Sequence, residues 1–137
     1  AYYADAFYLH DNNDGKGQKS VRFEAELAVG EYEVRVAYSA HTNRATNVPV
    51  TIVHAEGETT VLVNQRQAPV HDKLFASVGT FRFDGGQAAV VVIGTAGTDG
   101  YVIADAVQFL PLAAPEVETT MLSLSQASAG SGSKQEG

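Results

Sequence analysis

The chain has 137 residues, with 16 acidic against 9 basic side chains, a net charge of −7 and no cysteine. That length suits one domain with an appendage and is enough to bury a core without metal or disulfide support. An acidic chain with no basic run excludes a nucleic-acid partner, the missing thiols exclude thiolate metal sites, and no stretch approaches the ~20 apolar residues of a membrane span.

In chain order, the opening AYYADAF leads through the polar HDNNDGKGQ before the first clear strand. The chain begins with Ala1 rather than Met, which fits a processed, secreted product. Ser20–Leu27 then alternates Val21, Phe23, Ala25 and Leu27 with Arg22, Glu24 and Glu26, and 32–38 alternates Tyr32, Val34, Val36 and Tyr38 with charged neighbours. Such period-two patterns predict half-buried strands. Residues 48–54 and 59–64 flank an AEGE turn, Phe81 and Phe83 mark a further strand, 88–93 is apolar on both faces, and 101–110 closes the set. Turn signals at 12–17, 29–31, 55–58, 84–87 and 97–100 separate these runs, and no window keeps a helical period. The prediction is an all-β jelly-roll or Greek-key sandwich of about seven strands over 1–111. Because a two-sheet jelly roll generally has eight, one strand is expected to be lacking and one sheet edge open.

Composition changes beyond Pro111. Residues 112–137 form a C-terminal extension that reads either as a linker or as a strand in search of a sheet. In VETTMLSLS, Thr120, Leu122 and Leu124 alternate with Thr119, Met121 and Ser123. Val117, Met121, Leu122 and Leu124 are therefore the expected assembly segment if identical copies join head to tail as a homopolymer.

Several segments together, YLHDNNDGKGQKSVRFEAEL, GEYEVRVAY, NRATNVPVTIVHAEGETTVLVNQR, LFASVGTFRF and GTDGYVIADAVQF, resemble the golvesin/xanthan-lyase carbohydrate-binding-like domain. The likeness covers residues 8 to 111. It implies a β-sandwich accessory module without catalytic activity, of the kind found at the C-terminus of secreted bacterial oxidoreductases and polysaccharide-acting enzymes. Members of that family carry a further first strand with a Trp, whereas this chain has no Trp.

The candidate site residues follow from residue chemistry. Tyr101, Ile103, Asp105, Val107 and Phe109 share one strand face, so Asp105 is expected to be buried. A buried carboxylate is either reactive or paired. Arg44 is the expected partner in a structural ion pair, with Arg22 and Arg82 as alternatives. Asn43, Arg44 and Asn47 in HTNRATN, Gln65 and Arg66 in VNQRQ, and Tyr101 offer amides, guanidinium groups and a ring face that suit sugar hydroxyls, although Asn and Thr equally satisfy loop backbone. The other tyrosines read as core or as stacking surfaces. HDNNDGKG lacks helix–loop–helix calcium spacing, because Gly15 comes early and position 22 is Arg, which leaves only a structural calcium of another geometry. His10, His41, His54 and His71 make no metal-ligand pair. No cofactor and no catalytic constellation is expected. The expected partner is a polysaccharide or cell-surface glycan met outside the cell.

Overall fold

A computed structural model describes residues 3–4 and 9–112. The strands are β1 (Tyr3–Ala4), β2 (Leu9–His10), β3 (Ser20–Ala25), β4 (Gly30–Ala37), β5 (Val48–His54), β6 (Gly57–Val63), β7 (Phe75–Phe83), β8 (Ala89–Gly94), β9 (Ile103–Ala104) and β10 (Ala106–Pro111). All the strand pairs are antiparallel. One layer has the order β3-β8-β5-β6 and the other β10-β4-β7, while β1-β2-β9 forms a small third sheet. The fold is an all-β sandwich, and its seven longer strands are those the alternation predicts. Val117, Met121, Leu122 and Leu124 lie outside the described residues.

The core sits between the two larger sheets. Val34 and Val36 of β4 meet Val50 and Ile52 of β5 and Val91 and Ile93 of β8, all nearly inaccessible to solvent. Each such side chain contributes about 1.5–3 kcal/mol by leaving water. Tyr32, Phe83 and Phe109 close one end of the core with edge-to-face ring contacts.

Two strands depart from simple alternation, each for a local reason. Strand β7 starts at Phe75, earlier than its pattern suggests, because a bulge lies opposite the Val34/Arg35 step. Ala76 and Val78 face the core before the bulge and Phe81 and Phe83 after it, so the inward parity changes within one strand. Gly79, at φ 126°, makes the change sterically accessible.

The second departure corrects the expectation for Asp105. Residues 101–110 are not one strand. Ile103–Ala104 pairs with β2, Ala106–Pro111 pairs with β4, and Asp105 occupies the step between them with its side chain exposed. The alternation argument placed Asp105 inside only because it assumed unbroken pairing. The ion pairs among the described residues are Lys16–Asp11, Lys19–Asp14, Arg22–Glu24 and Arg35–Glu33, so the Asp105–Arg44 pair is not made.

Candidate functional site

Three loops and a strand end gather at one end of the sandwich: 11–19, 39–47, 64–67 and 95–101. They bring together all six residues the sequence nominates for ligand contact. Arg44 and Tyr101 form a parallel bridge, in which Tyr101 N–H donates to Asn43 O at 2.9 Å and Ala45 N–H donates to Tyr101 O at 2.8 Å. The backbones approach so closely at this bridge that residue 100 must be glycine. A Cβ there would lie 2.7 Å from the Arg44 carbonyl carbon and oxygen.

Most of the nominated side chains are engaged in building this end. The Arg44 guanidinium, on a residue only 9% exposed, donates to Ser39 O, Ser39 Oγ and Asn43 Oδ1. Gln65 is buried and pairs with the backbone of Ile103, donating through Nε2 and accepting through Oε1, each at 2.8 Å. Asn47 does the same across the 97–99 turn, donating to Gly97 O and accepting from Asp99 N–H. Arg66 is exposed and donates through Nε to Arg44 O at 2.6 Å. Tyr101 is half-buried, its ring 6.2 Å from that of His10 in an edge contact. Of the nominated residues Asn43 and Arg66 are exposed and Tyr101 is half-buried, beside the exposed Asp99, Asp14, His41 and Thr42.

The buried acid of the fold is Asp11, 0% exposed. Its carboxylate accepts from Val102 N–H at 3.0 Å, Asn13 N–H at 2.9 Å and the Lys16 ammonium at 2.7 Å. Lys16 also donates to Gly100 O at 2.6 Å, while Lys19 bonds Asp11 O and the Asp14 carboxylate. The oxygens that a calcium ion in this Asx-rich loop would draw on are thus bonded by two ammonium groups. Among the described residues no group of three or more His, Cys, Asp or Glu side chains is placed to hold a metal. The sequence shows Asp11 and Asp14 in this loop, but nothing in it tells which of the two is buried.

Asp99, unremarked in the sequence, accepts from Thr46 N–H and Thr46 Oγ1. The Thr46 hydroxyl bond above all, then its backbone N–H and the charge of Arg66, hold the Asp99 carboxyl below the usual aspartate range. The hydrogen bond from Lys19 does the same for Asp14. Arg35 and then Ser77 do so for Glu33, on the outer face of the three-stranded sheet.

A second candidate surface lies on the flank where β6 and β7 end their sheets. A groove of about 330 Å³ runs there, lined by Val61, Leu62, Val70, His71 and Ala76, with Tyr38 at its base. The Tyr38 hydroxyl donates to Gln67 O at 2.7 Å, and burial pushes its pKa up.

Sequence comparison decides the kinship. The family of the Golvesin C-terminal domain matches residues 1–111. The chain belongs to that family. Over 109 residues, 77% of the chain, this golvesin-type domain is 43% identical to a xanthan lyase of Bacillus sp. (strain GL1), of which it covers 11%. A solved structure of a Paenibacillus xanthan lyase superposes with a TM-score of 0.72 at 41% identity, covering 81% of the chain and 10% of that structure. The chain therefore spans about a tenth of the length of these relatives.

Proposed function

We propose that this golvesin-type domain is a non-catalytic module of a secreted protein, which binds a polysaccharide or cell-surface glycan through its loop end. The observation that carries the reading is the 43% identity to a stretch amounting to 11% of a xanthan lyase, a share too small for a whole enzyme of that size and right for one module of it. The acids support a non-catalytic role. Asp11 is inaccessible and bonded to Lys16, Asp99 is bonded to Thr46, and Asp105 is exposed without an acid or nucleophile placed beside it in any described contact. General acid–base chemistry on a glycosidic bond asks for two facing carboxyl groups or an equivalent pair. In this reading Arg66 and Asn43 donate to sugar hydroxyls or acidic substituents while Tyr101 offers a ring face.

Affinity electrophoresis through gels containing xanthan, other acidic glycans and neutral glycans tests this. Retardation in at least one gel is expected, weakened about tenfold by Arg66→Ala, since hydrogen bonds to charged groups are worth about 1.5–3 kcal/mol. Free mobility in every gel would overturn it.

A second reading is favoured by the open flank: a structural subunit of an extracellular filament, assembled head to tail by strand donation from the segment beyond Pro111.

A further inference from the structure

Sandwich edges are normally defended, because an unpaired strand invites another. Strand β3, at one end of the four-stranded sheet, shows Arg22 and Glu24 to solvent. Strand β6, at the other end, shows Leu62, 64% exposed. Val70, beside it, is 81% exposed. Val61 and Ala76 pack against the core yet remain only half-buried, so the apolar interior continues out to this flank without a cover among the described residues.

The chemistry of the groove selects its class of occupant. A sugar needs ring faces to stack on and convergent polar groups. This wall is mainly aliphatic, and its one tyrosine is buried with its hydroxyl committed to Gln67 O. An aliphatic trough along a free strand edge suits an extended polypeptide, held by backbone hydrogen bonds with alternate side chains in the trough.

We propose that the β6–β7 flank receives residues 117–124 of a second copy of this chain as an added strand. The segment VETTMLSL is eight residues long, against seven in β6, and contains no Gly or Pro. Its alternation sets Leu122 and Leu124 toward Val61 and Ala76, and leaves Met121 and Ser123 on the outer face beside Leu62. The reach from Leu112 argues against the chain's own segment. Pro111 pairs with Tyr32, Leu112 N–H donates to Glu31 O, and Ala76 lies opposite Val36 on the far side of β4. A strand added antiparallel to β6 enters at its Val63 end. Leu112 lies beside Glu31, whose partner Arg82 accepts from Ala55 N–H at the opposite end, about 20 Å away along the length of β6. Five residue steps from Leu112 to Val117 span at most about 18 Å. A neighbouring molecule has no such limit, and a donor site and an acceptor site on each copy make the contact self-propagating. The proposal rests on the assembly reading and is independent of glycan binding.

The chain has no cysteine, so engineered thiols report without background. Full-length Leu62→Cys protein is mixed with an equal amount of Met121→Cys or Ser123→Cys protein and oxidised gently. A disulfide-linked dimer is expected in at least one mixture and in neither partner alone. Adding Val70→Glu to the Leu62→Cys partner should cut its yield about tenfold, because the charge would be buried unpaired. Failure of both mixtures to cross-link would overturn the proposal, as would closure only within a single chain carrying both thiols. Val70→Glu in the otherwise unaltered chain should keep its mobility in polysaccharide gels, which separates this result from the glycan reading.

Discussion

The loop end and the β6–β7 flank differ in the opposite sense from their sequences. The loop end is dense in Asn, Arg, Thr and Asp, the composition of a binding surface, yet Arg44, Asn47 and Gln65 are engaged with backbone groups of the same end, at Ser39, Gly97 and buried Ile103. The flank reads as ordinary strand, yet it leaves Leu62 and Val70 in water. In a sandwich, polar loop residues report first on how strands are ended, since each backbone N–H and C=O removed from a ladder needs another partner. Surface left for a ligand is better recognised by what is uncovered than by what is polar.

Substitutions at the loop end test how firmly it is built. Asp11→Ala strands Val102 N–H and the Lys16 ammonium, so it should destabilise the fold by about 3–5 kcal/mol. Thermal unfolding followed by circular dichroism should show Tm falling by roughly 15 °C or more. A loss comparable to that of an exposed flank substitution would mean that the two regions do not differ as described. Gly100→Ala forces its new methyl into the Arg44 carbonyl and should cost about 1–3 kcal/mol by overpacking, measured by urea denaturation. The smallest effect concerns acid. Asp99 titrates lower in the folded chain than its ordinary 3.8, so its contribution is present above that value and is lost as pH falls through the lower folded value. Asp99→Asn should flatten that part of the acid-unfolding curve and lower stability slightly at neutral pH, with the difference from the parent vanishing in acid.

The seven longer strands could be read from the sequence because turn signals separate runs that alternate or, at 88–93, are apolar throughout. Val21, Phe23 and Ala25 face inward against exposed Arg22 and Glu24, as the pattern requires. The reading failed where register or pairing partner changes within a run. Gly79 switches the inward parity of β7, and Asp105 marks where the chain leaves β2 for β4, and neither event alters local composition. The six nominated loop residues do cluster, because they sit at strand ends that the topology brings together. Their use could not be read, since bonds such as Gln65 to Ile103 join residues 38 apart in sequence. The burial of Asp11 depends likewise on Val102 and Gly100, far along the chain.

The step at Asp105 also determines how the domain would bear load. Residue 10 is paired beside Ile103, at the start of the run that ends at Pro111, so tension applied between residues 10 and 111 pulls lengthwise along β10. The six residue pairs joining β10 to β4 would then have to slide together rather than part in succession. If the domain binds a glycan as proposed, this geometry places the resistance to rupture in a single shared ladder.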